Sequence, residues 1–67
     1  MFIVLEIQAN GDQVGTIINK YGTRAEAESA FHGILSSAAV SHVQIHSAVL
    51  LSIDGQQIDR KTYIHEA

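Results

Sequence analysis

The side chains with the widest chemical reach in this sequence are four histidines, His32, His42, His46 and His65. A shared metal ion would need three or four ligands converging within about 2 Å of one point. His42 and His46 are four residues apart, and on a strand that spacing puts them on one side but roughly 13 Å from each other, at ~3.3 Å per residue. His46 and His65 come near each other across a hairpin with Glu6 on the same face, yet nothing in the spacing fixes a third ligand. The histidines therefore read as polar strand residues at the rim of an interface, and no metal or other cofactor is expected.

Nucleophilic chemistry asks for a serine or threonine beside a base that a third group orients. The stretch ILSSAAVSHV offers Ser36, Ser37, Ser41 and His42, but serines crowding a helix end ordinarily pack or cap it. The acidic residues are also placed by structure, since Glu26 and Glu28 open a helix and Asp54 sits in a turn. NGDQVG has neither the lysine nor the spacing of a phosphate-cradling loop. No catalytic residue is assigned, and the chain reads as non-enzymatic.

Arg60 is the most informative polar residue. The hairpin register sets it opposite Val49 on the side expected to lie under the helix, where an unpaired charge is costly. It either lies beyond the helix's cover or meets a carboxylate, a carbonyl end or a bound anion. Lys61 and Tyr63 follow on the same strand, and Arg24 stands in the first helical turn, where free backbone N–H groups attract anions. With Tyr21, Tyr63 or His46 to stack on a base, these are the donors a small phosphate-bearing ligand would need.

The elements that must position these residues follow from apolar periodicity. FIVLEIQA (Phe2–Ala9) is a short strand rich in large and β-branched residues, closed by the turn signal Asn10-Gly11. Val14–Tyr21 is the returning strand. Thr23 is the expected N-cap of a helix, with Glu26 three residues on completing a capping box. Ala27, Ala30, Phe31, Ile34, Leu35 and Ala38 form one helical stripe, and the helix should end near Val40–Ser41. A third strand runs from His42 toward Ile53. Asp54-Gly55 makes a second tight turn, and Gln56–His65 is the fourth strand. The expected fold is α+β: ββαββ, a four-stranded antiparallel sheet in order 2-1-3-4 with one helix on one face, forming one domain over residues 1–67.

Sixty-seven residues bury only about 60% of the surface that the unfolded chain exposes, so a lone copy is marginal. Without cysteine there is neither a disulfide nor a thiolate zinc site. Hydrophobic residues make up 46% and charged residues 16%, which leaves oligomerisation as the remaining source of stability. A net charge of -3 argues against a general nucleic-acid binder. No apolar run approaches the roughly 20 residues of a membrane span, and MFIVLEIQ lacks a signal peptide's basic start. A cytoplasmic protein is expected.

The third strand shows what oligomerisation would use. HVQIHSAVLLSIDGQQI begins with alternation and then runs Val49-Leu50-Leu51 without a break, so both of its faces need cover. One face of the sheet groups Ile3, Leu5, Ile7, Ile18, Ile45, Ser47, Val49, Leu51 and Ile53 with Ile58, Arg60, Thr62 and Ile64, and the single helix is assigned there. The other groups Phe2, Val4, Ile17, Tyr21, Ala48, Leu50 and Tyr63. Left open, that second face is an association site, so a homodimer or larger assembly is expected through Phe2, Val4, Ile17, Ala48, Leu50 and Tyr63.

YGTRAEAESAFHGILSSAAVSHVQIHSAVLLSIDG resembles a set of short proteins encoded by phages and prophages of gut clostridia, which share the pattern EAE, H, L, AAVS, H and AV along nearly the whole chain. The phenylalanine of AFHGIL stands where that pattern has tyrosine. The resemblance implies a phage protein at work in the cytoplasm of an infected bacterial cell. By analogy with phage anti-defence proteins, it implies a homo-oligomeric sponge that sequesters a host nucleotide immune signal, with Arg60, Lys61, Tyr63, His46, Tyr21 and Arg24 as ligand contacts. The alternative it implies is a virion-associated or tail-assembly accessory with no small ligand. Neither nucleic acid nor a membrane is an expected partner.

Overall fold

Nine-residue runs of large and β-branched side chains on either side of Gly11 close a hairpin, and the helix and a second hairpin follow. The computed structural model describes residues 1–65 as β1 (Phe2–Asn10), β2 (Gln13–Tyr21), α1 (Arg24–Ala38), β3 (Ile45–Ser52) and β4 (Gln57–Ile64). The four strands form one antiparallel sheet in the order β2-β1-β3-β4. The α+β layout is therefore the expected one, with the apolar strands β1 and β3 central and β2 and β4 at the edges.

The turns carry their own chemistry. Asn10 pairs with Gln13, and Gly11, at φ 57°, is the only positive-φ residue of the first turn. A positive φ confined to the first central residue is the type II′ pattern that follows the twist of a hairpin. The second turn departs from the two-residue loop expected at Asp54-Gly55. Gly55 N–H bonds to the Ser52 carbonyl, so Ile53 and Asp54 are the central residues, and Gly55 follows at φ 91°. The extra residue shifts the register between Leu50 and Leu51: Leu50 still faces Asp59, but Leu51 faces Gln57. Ile58 is thereby turned to the opposite side and packs against the core.

Thr23 caps α1 as the sequence predicts. Its hydroxyl oxygen accepts the Glu26 N–H at 3.2 Å and donates to the Glu26 carboxylate at 3.0 Å. The predicted stripe meets the sheet: Ala27 and Phe31 are buried with Val4, Ala48 and Leu50, and Ala30, Ile34 and Leu35 pack against them. Ala38, also fully buried, ends the helix two residues earlier than expected. Small alanines at 27 and 48 let the helix axis approach closely, and Phe31 fills the space between.

This core corrects the assignment of faces. The residues divide between the two sides almost as the sequence predicts, but α1 lies on the side of Phe2, Val4, Tyr21, Ala48 and Leu50. The expected association surface of Phe2, Val4, Ile17, Ala48, Leu50 and Tyr63 is thus the helix side, and Val4, Ala48 and Leu50 are not available to a partner. The physical reason is topological. With β1 between them, β2 and β3 run parallel, so β2–α1–β3 is a crossover unit, and the handedness of such units is set by strand twist. Which face the helix takes follows from chirality and not from which face is more apolar.

Candidate functional site

Two surfaces of this fold gather side chains with something to do. The first is the uncovered side of the sheet. By the strand register it carries Ile3, Leu5 and Ile7 on β1, Ile18 and Lys20 on β2, Ile45, Val49 and Leu51 on β3, and Arg60 and Ile64 on β4. Leu5 lies between Ile18 and Val49 at its centre. Ile18, Ile45 and Ile64 are exposed, and the central-strand residues are half-buried by their neighbours alone. Thr16, Ser47 and Thr62 form one row of small polar residues beside Ile7, and the rest of the face is more apolar than strands with one solvated side would place there. Arg60 and Lys20 are the only charged residues at these positions, and both are cationic, in a chain whose net charge is -3.

Arg60 stands opposite Val49, as the register predicts, but on the open side. It is solvent-exposed, so the expected cost of a charge beneath the helix does not arise.

The second surface lies where the C-terminal end of α1 meets the start of β3. His46 is only 3% exposed and takes two partners. Its Nε2 is 2.6 Å from Glu6 Oε2, and its Nδ1 is 3.0 Å from Ser41 Oγ. Gln8 Nε2 donates to the same Glu6 oxygen at 2.9 Å, and Val43 N–H donates to Ser41 Oγ at 3.3 Å. Strand parity puts Glu6 and His46 on one face, as the sequence predicts, whereas Ser41 reaches His46 and not the adjacent His42 because it lies in the irregular loop before β3. His42 is exposed in the loop, and β3 begins at Ile45, so the strand spacing used for His42 and His46 does not apply.

The neighbouring loop is strapped down by three hydrogen bonds, two of them between a side chain and the backbone. Asn10 Oδ1 accepts Gln44 N–H at 2.8 Å, Gln44 Oε1 accepts Gly11 N–H at 2.9 Å, and His65 N–H reaches the Gln44 carbonyl at 2.7 Å. His65 Nε2 donates to the Ala38 carbonyl at 2.8 Å and satisfies a helix C-terminal acceptor.

The six predicted ligand contacts do not converge. His46 is buried in the polar network. Lys61 and Tyr63 lie on the helix side of β4, with Lys61 Nζ 5.4 Å from the Tyr63 ring centroid. Tyr63 stands opposite His46 and runs parallel to the His65 ring at 6.3 Å. Arg60 faces the other way. Tyr21 pairs with Phe2 at the opposite end of the sheet and packs on the core. Arg24 is engaged by Glu28 at 2.7 Å, an exposed ion pair worth ~0.3–0.5 kcal/mol. A shallow, open depression lined by Gln8, Asn10, Gln13, Val14 and Gly15 includes none of them. Among the described residues, no three potential metal ligands group around one point, and no helix is long and apolar enough to cross a membrane. No protein-family model matches this chain, nor does any curated protein or solved structure.

Proposed function

We propose that this chain works as a self-associating binding protein whose copies close on one another through the uncovered sheet face. The observation that carries the reading is the apolar set Ile3, Leu5, Ile7, Ile18, Ile45, Val49 and Leu51, crossed by a single row of Thr16, Ser47 and Thr62, on a sheet whose one helix among the described residues covers the other side. A second copy is the partner of matching chemistry, because a two-fold interface sets the same apolar patch against itself. Sedimentation at micromolar concentration tests it: the expected mass is that of a dimer or larger, and a single-chain mass overturns it.

Within that reading, the assembly sequesters a host nucleotide signal during phage infection, in the cytoplasm. Arg60 and Lys20 support it as the two cations of an otherwise neutral face in an acidic chain. Calorimetry against cyclic dinucleotides and cyclic ADP-ribose derivatives, followed by mass spectrometry of heat-released ligand, tests it. Tight binding with unchanged release is expected, and Arg60→Ala should abolish binding while the assembly persists. A second reading, a virion-associated or tail-assembly accessory with no small ligand, is favoured by the division of the six candidate contacts between two faces and two ends of the sheet. Absence of any binding stronger than millimolar, with co-purification in virions, decides for it.

A further inference from the structure

Ser41, His46 and Glu6 come from three separate segments, the loop after α1, β3 and β1, and form a hydrogen-bond chain with a direction. An ionised glutamate only accepts, so the 2.6 Å contact to Glu6 places the ring proton of a neutral His46 on Nε2. Nδ1 then keeps its lone pair, and the 3.0 Å contact to Ser41 Oγ is made by the serine hydroxyl proton. The order is hydroxyl to imidazole to carboxylate, the order by which a base draws a proton from a nucleophile while an acid fixes the base. Each member is held in place: Glu6 by Gln8, His46 by burial, and Ser41 Oγ by the Val43 N–H. Ser41 itself is half-buried in a loop, next to exposed His42 and Val40.

We propose that Ser41 is an activated nucleophile that accepts an acyl group from an uncharged ester or thioester, with His46 as its general base and Glu6 as the positioning residue. Oγ attacks the carbonyl carbon and forms the new C–O bond while its proton passes to His46 Nδ1. The bond from that carbon to the alkoxide or thiolate breaks, and the leaving group departs with the proton from Nδ1. The products are a Ser41 acyl ester and a free alcohol or thiol, and water repeats the sequence to release the acid. An acyl donor fits better than a phosphoryl donor because the groups around the site, the Glu6 carboxylate and the carbonyl end of α1, are both negative. This activity is independent of the association proposed above.

The test uses the intact protein with p-nitrophenyl butyrate and an uncharged fluorophosphonate, and maps adducts by fragmentation. Ser29, Ser36, Ser37, Ser47 and Ser52 serve as internal controls. General-base assistance predicts an adduct on Ser41 that forms at least ~100-fold faster than on any of them. Glu6→Gln keeps the shape of the side chain but removes the charge that stabilises the imidazolium formed as Ser41 loses its proton. The His46 15N shifts of the wild-type protein should place the ring proton on Nε2, and Ser41 labelling in the variant should fall to the level of the other serines. No adduct, or an even spread over the serines of the folded wild-type protein, overturns the proposal. Full Ser41 labelling in a folded Glu6→Gln variant overturns the role of Glu6, and a wild-type ring proton on Nδ1 overturns the role of His46 as the base. If that variant does not fold, the contrast among the wild-type serines decides alone.

Discussion

Replacing Ile18 with threonine separates the two sides of the sheet in one experiment. Threonine keeps the β-branch that suits a strand, and Ile18 is 66% exposed in the single chain, so the fold loses little. Full burial of an isoleucine is worth ~1.5–3 kcal/mol, and two-thirds of that, about 1–2 kcal/mol, is left for a partner to bury. A two-fold interface contains the residue twice, so the association loses ~2–4 kcal/mol, or ~30-fold to several hundred-fold in Kd. Ile17 is the control: it is 51% exposed but lies on the helix side, opposite Glu6. Sedimentation equilibrium over a concentration series should show weakened association for Ile18→Thr and wild-type association for Ile17→Thr. The reverse result would refute the placement of the interface, and an unchanged Kd in both would refute association through the sheet.

Phe31→Ala empties the centre of the core and should cost ~3–5 kcal/mol, a large share of the ~3–10 kcal/mol expected for a chain of this length; urea unfolding should show loss of most of the transition. Thr23→Ala removes the acceptor for the Glu26 N–H and should lower stability by about 1 kcal/mol, read as a shift in the urea midpoint without loss of the fold. Asp54 accepts from the Ser52 hydroxyl and the Gln56 N–H, which hold its carboxyl below the ordinary 3.8. A lowered folded-state value means this contribution is fully present above 3.8 and is lost as pH falls through the lowered value. Urea midpoints measured on both sides of 3.8 should therefore show a small acid loss that Asp54→Asn abolishes.

The fold was legible because its signals are local and redundant. Thr23 with Glu26 marks a helix start, six apolar residues from Ala27 to Ala38 mark one stripe, and Gly11 marks a turn. The face taken by the helix was not legible, because both sides of β1 and β3 are apolar and the choice belongs to the chirality of a crossover spanning Gln13 to Ser52. The bulge at Leu50/Leu51 was hidden by an Asp-Gly pair that serves two-residue and longer turns equally well. The Ser41–His46–Glu6 chain was half visible. Strand parity put Glu6 and His46 on one face, but the serine joins them from an irregular loop whose path is set by Gln44 bonding to Asn10 and Gly11. The candidate ligand contacts failed to meet for a related reason: Arg60 and Lys61 are adjacent, and adjacency on a strand guarantees opposite directions.

One edge of the sheet has its own consequence. Every residue of β2 except Tyr21 is exposed, Lys20 is its sole charge, and among the described residues no strand lies beyond it. In the proposed assembly, closing two copies face to face would leave that row of backbone donors and acceptors free on each, at right angles to the contact. Such pairs would then be able to lengthen sideways into ribbons, with Lys20 as the single charge of that strand opposing the growth of a filament.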